Sequence, residues 1–419
     1  MTIIACIKTA GGIALISDML LSKKGEGATI SIPTVGRIDL WEEKQNIRLG
    51  FHATRMVRKP YYVQHFGMLA WAGGISGGQK LRDYLIHKTQ EPKQYDVELF
   101  NTAIGELSIE QQSELSAIYI DENTLQVHAY RCTEFKIEGT TYWLGGSGAD
   151  ELQKYIEDTA KYFQEFHLRE GIPATPQQIG MSLCARLIFR ETLIYPSRQS
   201  ITNRENPRLL EHGCGGFYEA YFIEHAGKEF RISNSPAALY IHLNFNGEGM
   251  VADVTRLYCY KRINWGGQST ALIFSFINTP CHVQSGRNIS ITTQQCDLYV
   301  CRPFNPDGKH EHITLDPYLI STLPEEQRIF MISLQAKLVM VSCFADVKIT
   351  YDDVANLDLN YQLDLIDQNA LAPWGMQLAV ESPHDSPIQI IYQDKIGYQI
   401  LIEDDWINGL HRQEIPHRV

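Results

Sequence analysis

The sequence predicts an α+β domain over residues 1–232 followed by a mostly β domain over 233–419. Three observations carry this. At 419 residues the chain exceeds the about 250–300 residues at which one hydrophobic core stops growing, so two domains are expected. Up to about residue 232, short β-prone runs are interspersed with stretches of helical apolar spacing. Beyond 233 the helical spacing becomes scarce and β-prone runs broken by Asn, Asp, Gly and Pro take over.

The elements follow in order. Residues 3–9 and 13–17 are apolar, β-prone runs separated by Gly11-Gly12, the pattern of a hairpin at the start of the chain. The run 66–72 ends at Gly73-Gly74, and 79–87 then places Leu81, Tyr84 and Leu85 on one helical face. Val97, Phe100, Ile104 and Leu107 line one side of a second helix over 95–109. Strands are expected at 115–120, 125–130 and 140–144, ahead of Gly145-Gly146-Ser147-Gly148. Helical patterns resume at 149–166 and at 176–194, the latter opened by Thr175-Pro176. A glycine cluster, Gly213-Cys214-Gly215-Gly216, leads into the apolar run 217–223. This order is compatible with a four-layer αββα sandwich without singling it out. In the second domain, β-prone runs lie at 238–244, 270–277, 296–300, 338–344 and 388–402.

Composition removes several function classes. A formal net charge of -12 and the lack of a basic stripe argue against a grip on nucleic acid or anionic membrane. No stretch approaches the roughly 18 unbroken apolar residues of a membrane-spanning helix, and the first eight residues lack the build of a signal peptide. A cytoplasmic location is therefore expected, with the nine scattered cysteines mostly reduced.

The chemistry concentrates at the start. A threonine hydroxyl is a poor nucleophile at neutral pH and needs a neighbouring base, either a free α-amine or a positioned lysine, to take its proton. Here Thr2-Ile3-Ile4 leads through Gly11-Gly12-Ile13-Ala14-Leu15-Ile16 to Asp18, and Lys59 stands fourteen residues before Gly73 in Ala72-Gly73-Gly74. Gly146-Ser147-Gly148 precedes a helix, and Glu211-His212-Gly213-Cys214-Gly215-Gly216 follows further on. In this ordered set the first 232 or so residues resemble proteasome β-subunits and their bacterial relatives, the N-terminal-nucleophile (Ntn) hydrolases. The second Thr of the family's opening is missing, a long insertion over about 23–52 separates Asp18 from Lys59, and Glu211 and Cys214 replace the family's Asp and Ser.

The resemblance implies the αββα Ntn sandwich, and a threonine peptidase that assembles into rings or other oligomers and acts on peptides or unfolded protein without a cofactor. It makes Thr2 the nucleophile once Met1 is removed, Asp18 and Lys59 its charged partners, and Ser147, Glu211 and Cys214 their support. It also places Gly73 at the oxyanion, Ser22 on the substrate-pairing segment and Trp71 at the floor of the specificity pocket, where a bulky indole leaves room for small side chains only. Arg58 competes with Lys59 as the active cation. A non-peptidase amide hydrolase, with the insertion shaping its pocket, and a catalytically silent structural subunit are the alternatives.

Taken singly, each of these residues has an ordinary structural use: Asp18 or Ser147 as a cap, Lys59 as a solvated charge, Trp71 as a core aromatic. Cys296, Cys301, His310 and His312 cluster in sequence, but their spacing fits no familiar zinc pattern, so structural roles and no metal are expected. No P-loop or dinucleotide fingerprint is present.

Overall fold

The computed structural model describes residues 2–28, 30–45, 48–63, 66–88, 97–137, 139–157, 209–226, 229–234, 238–245, 251–265, 268–275, 281–284, 288–293, 296–305, 307–315, 338–345, 376–379, 388–393 and 397–403, with residues 176, 179, 180, 183, 184, 187, 188 and 191 between. The chain is a mixed α and β protein. Its first part runs β1 (Ile3–Thr9), β2 (Gly12–Asp18), β3 (Leu20–Lys24), β4 (Ser31–Ile32), β5 (Gly36–Arg37), α1 (Ile38–Gln45), β6 (Phe51–Met56), β7 (Tyr61–Val63) and β8 (Gly67–Gly73). It continues through α2 (Ile75–Lys88), α3 (Val97–Gly105), α4 (Ile109–Glu114), β9 (Leu115–Asp121), β10 (Val127–Tyr130), β11 (Thr133–Ile137), β12 (Thr140–Gly146), β13 (Tyr218–Ala226) and β14 (Glu229–Asn234).

Two antiparallel sheets organise this part. One has the order β11-β12-β1-β2-β13-β14, the other β10-β9-β8-β7. The expected first hairpin is β1-β2, with Thr9 opposite Gly12, whose φ of 134° suits a glycine at the turn. Why these strands read as unbroken apolar runs is visible in their packing. On β1, Ile4 and Cys6 join Met68, Ala70 and Ala72 of β8 and Ile118 and Ile120 of β9 in one core between the sheets. Ile3, Ala5 and Ile7 point the other way, into a core with Leu152, Tyr155, Leu183 and Leu187. Leu69, Trp71 and Tyr119 likewise turn outward onto Leu81 and Leu85 of α2 and Phe100 of α3. A strand buried on both faces loses the apolar-polar alternation that marks a half-exposed one.

The helix expected over 149–166 is present at 149–157, and residues 176, 179, 180, 183, 184, 187, 188 and 191 of the one expected over 176–194 are helical; the rest of both spans lies outside the described residues. The helix expected over 95–109 is α3, which ends at Gly105 and leaves Leu107 outside it; α4 is a separate helix with Ser108 as N-cap, its side chain accepting from Gln111 N in a capping box. The long insertion folds rather than looping freely. It contains the β4-β5 hairpin and α1 and is bounded by β3 and β6, which pair with each other.

Beyond residue 234 the described residues lie mostly in strands. The largest sheet there centres on the 15-residue strand Val251–Trp265, which pairs with Ala238–Phe245, Gln268–Ser275 and Cys281–Gln284. Ala238–Phe245 pairs in parallel with Leu338–Ala345. The expected single run at 388–402 is a hairpin, Ile388–Gln393 with Gly397–Glu403. The division drawn after residue 232 falls inside β14, which remains paired with β13 through Asn234. Among the described residues, no helix is long and apolar enough to cross a membrane.

The two parts meet through buried polar contacts. Arg58 Nε donates to Glu219 Oε2 at 2.9 Å, its Nη1 to Ser269 O at 2.9 Å and to Ser269 Oγ at 2.5 Å, and Tyr260 OH donates to Glu219 Oε2 at 3.1 Å. Burial works against the Arg58 charge, but Glu219, Tyr221 and Tyr260 outweigh it and raise its pKa. The insertion adds Ser31 Oγ to Tyr299 OH at 2.8 Å, Ser275 Oγ to Pro33 O at 2.9 Å and Tyr258 OH to Thr34 O at 3.3 Å. Removing one member of a buried ion pair strands the other in a poorly solvated place. Arg58→Met is therefore expected to cost about 3–5 kcal/mol, read as a lowered urea midpoint; a loss below about 1 kcal/mol, the worth of an exposed pair, would show that Arg58 and Glu219 do not hold the two parts together.

Candidate active site

The hairpin register sets the site. Ile4 pairs with Ser17, which brings Asp18 beside the chain start, and Tyr218 of β13 pairs with Asp18 from the opposite side. Thr2 Oγ1 donates to Asp18 Oδ1 at 2.6 Å, and Ile3 N donates to the same oxygen at 2.8 Å. Gly215 N donates to Asp18 Oδ2 at 3.0 Å. Lys59 comes from the segment after β6, which Val57 N anchors to Met19 O at 2.8 Å. Its Nζ donates to Asp18 Oδ1 at 2.6 Å, to Leu20 O at 2.7 Å and to Thr2 Oγ1.

Thr2, Asp18 and Lys59 are 1%, 0% and 1% exposed. All three hydrogens of the ammonium are engaged, which is how a buried lysine avoids a stranded charge. Burial pulls the Lys59 pKa below that of an ordinary lysine, with Asp18 opposing the shift. The arrangement holds a hydroxyl between a carboxylate and an ammonium whose proton is loosened, the elements of an activated nucleophile. Arg58, the competing cation, faces Glu219 and Ser269 instead.

Ser147 joins through both main chain and side chain: its N donates to Thr2 O at 3.0 Å, and its Oγ donates to His212 O at 3.0 Å and lies 3.2 Å from Cys214 Sγ. Burial pushes the Cys214 thiol up to about 12, so at neutral pH it is a thiol and a hydrogen-bonding neighbour. Glu211 lies in the 3-10 turn Leu209–His212, half-buried, and that turn presents the His212 carbonyl. Gly146 permits the approach of Thr2: its φ is 102°, and a Cβ there would lie 2.0 Å from Thr2 O and 2.9 Å from Ala72 Cβ. Ala72 is thus beside Thr2, and Gly73 follows it with φ 101°, where a Cβ would lie 1.7 Å from Glu114 O.

Ser22 is buried on β3 and its Oγ donates to Gly213 O at 2.8 Å, tying β3 to the glycine turn. Trp71 is 1% exposed and packs with Leu21, Val57 and Phe304. Of the four residues weighed as metal ligands, His312 places its Nε2 3.1 Å from Asp297 Oδ1 and stacks its ring on Tyr299 at 4.6 Å. Among the described residues no group of three or more His, Cys, Asp or Glu is placed to hold a metal.

Sequence reasoning missed Glu191. Its carboxylate accepts from Gly216 N at 2.8 Å, Thr34 Oγ1 at 2.7 Å and Tyr218 OH at 3.1 Å, so it holds the glycine turn whose preceding N-H reaches Asp18. A Cβ on Gly215 would lie 1.7 Å from Glu191 Oε1, which explains the glycine there. Nothing in the sequence separates this glutamate from a surface one on a helix.

No protein-family model matches the sequence, and a search of curated proteins finds no match.

Two outcomes are expected from this geometry. Gly146→Ala drives a methyl into Thr2 O, so it should destabilise the chain by several kcal/mol, on the order of 3 kcal/mol, or displace Thr2; unchanged thermal unfolding together with an unchanged Thr2 environment would contradict it. Burial raises the Glu191 pKa from 4.5 to about 8. Between these values the folded chain binds more protons than the unfolded one, so stability falls as pH rises through that window. Glu191→Gln should remove this pH dependence, on the order of 4 kcal/mol across the window, in urea titrations from pH 5 to 9; an unaltered dependence would place the titration elsewhere.

Proposed function

We propose that the chain is an N-terminal-nucleophile hydrolase of the αββα class, a threonine-type peptidase acting through Thr2. The observation that carries this is the hydroxyl of Thr2 held between Asp18 and Lys59, buried, with Lys59 bonded to both. The layering supports it: two antiparallel sheets share one apolar core, and helical residues pack on the far side of each. So does the order along the chain, with nucleophile, carboxylate, lysine, glycine turn and serine at the intervals that the sequence resemblance rests on.

In this mechanism Met1 is first removed, freeing the Thr2 α-amine. Thr2 Oγ1 attacks a substrate carbonyl, its proton passing to the amine or to a neutral Lys59, and Asp18 keeps Lys59 oriented. The tetrahedral oxyanion forms beside Gly73, whose backbone N-H contributes about 3 kcal/mol if it donates there. The proton then goes to the leaving amine, the C-N bond breaks and an acyl ester on Thr2 remains. Water, deprotonated by the same base, hydrolyses the ester and restores the hydroxyl. Ser147 and Cys214 hold the polypeptide around the amine, and Glu211 supports the turn behind them. Peptides or unfolded protein are the substrate class, with assembly into oligomers as a means of sequestering the site.

A second enzyme reading keeps the chemistry and changes the substrate. The insertion is folded against the second module through Ser31, Pro33 and Thr34, a fixed wall of the kind a small-amide hydrolase needs. Turnover of simple amides with no cleavage of peptides selects it.

Purified chain is expected to begin at Thr2 and to take one β-lactone or epoxyketone per chain at that residue, seen by intact mass and peptide mapping. Thr2→Ala should abolish labelling, and Lys59→Met should slow it by about 10²–10⁴-fold, the usual worth of a positioned proton acceptor. A retained Met1 with no labelling would favour the silent structural subunit.

A further inference from the structure

The β-rich second module reaches the hydrolase module beside Lys59. Arg58 N donates to Arg302 O at 2.9 Å and Phe304 N donates to Arg58 O at 3.1 Å, a strand-like pairing that sets Pro303 against Arg58. Arg82 Nη1 donates to Phe304 O at 2.8 Å, and the Arg55 guanidinium donates to the carbonyls of Asn305 and Gly308. Every one of these bonds is made to main-chain atoms of the 302–308 segment. They fix where the Phe304 side chain goes without depending on what it is.

That side chain goes onto Trp71. The two rings meet edge to face with centroids 5.2 Å apart, a favoured aromatic geometry. The Arg55 and Arg82 guanidinium carbons lie 5.5 and 5.8 Å from the Phe304 centroid. Trp71 has no freedom to retreat toward α2, since a Cβ on Gly78 would lie 2.2 Å from the indole. Leu21 and Val57 complete the cluster, and Trp71, Leu21, Val57 and Phe304 are 1%, 3%, 4% and 6% exposed. The space beside Trp71 is therefore filled from the second module.

We propose that Phe304 is a specificity-determining residue: supplied by the β-rich module, it closes the primary substrate pocket over Trp71 and restricts the acyl group to small side chains. This rests on the hydrolase reading, and on Trp71 as the pocket floor within it. It gives the second module a role in catalysis that its fold alone does not disclose. Removing the phenyl ring while keeping the main-chain bonds should open a pocket of aromatic size.

The test uses the full chain with Met1 removed and two peptidyl-aminocoumarin amides that differ only in Ala or Phe before the scissile bond. Phe304→Ala is expected to raise the Phe-to-Ala ratio of kcat/KM at least about tenfold, the low end of what pocket volume discriminates, and Phe304→Leu to raise it less. A ratio unchanged within twofold in both variants overturns the proposal. Should Phe304→Ala fail to fold, Phe304→Leu and Phe304→Val carry the same graded expectation, and a flat series overturns it. Labelling of Thr2 by a β-lactone in the unaltered chain separates the two levels: labelling with flat ratios removes the pocket role of Phe304 alone, whereas no labelling removes the hydrolase reading and this one with it.

Discussion

The buried contact among Thr2, Asp18 and Lys59 is the constraint around which the first module is arranged. Taking a carboxylate and an ammonium out of water costs several kcal/mol per ion unless their hydrogen bonds are replaced. The replacement here draws on four separate pieces of chain: Thr2 and Ile3 at the start, Leu20 after β2, the segment carrying Lys59, and the turn at Gly215. None of these can move alone without leaving a charge unsatisfied. The glycines at 146 and 215 belong to the same constraint, since a side chain at either would push Thr2 or Glu191 out of place.

Much of this was legible in the sequence, and what was not has identifiable causes. The first hairpin, β8 and the strand before Ser147 announce themselves because runs of apolar, β-prone residues end at glycines, and β9 because its run ends at Asp121-Glu122-Asn123. The insertion was visible only as extra length, because its short strands β4 and β5 and the helix α1 are too brief for periodicity to register. Thr2, Asp18 and Lys59 were legible through the family resemblance that their ordered spacing carries, and the structure brings all three together. Glu211 lies in the 3-10 turn whose His212 carbonyl accepts from Ser147 Oγ. Glu191 was invisible because its importance comes from three donors that lie far away along the chain.

The part of the chain before residue 232 and the part after it are joined in space. The described residues of the later part lie mostly in strands, and its polar groups enter the earlier part's interior. Arg58, Glu219, Tyr221, Tyr260 and Ser269 form one buried network drawn from both sides. Such a network is satisfied only when every member is in place, so the two modules specify one relative position.

Positions 58 and 59 carry one further consequence. In this extended segment successive side chains point to opposite sides, and here Lys59 enters the threonine cluster while Arg58 turns to Glu219. A single-residue insertion just before Arg58 would put its forked guanidinium where a compact ammonium is bonded, and a single-residue deletion there would put Lys59 opposite Glu219 and Pro60 beside Thr2. The short stretch from Val57 to Pro60 therefore has a fixed reading frame of its own, and variation in chain length is expected to collect in the turns on either side of it.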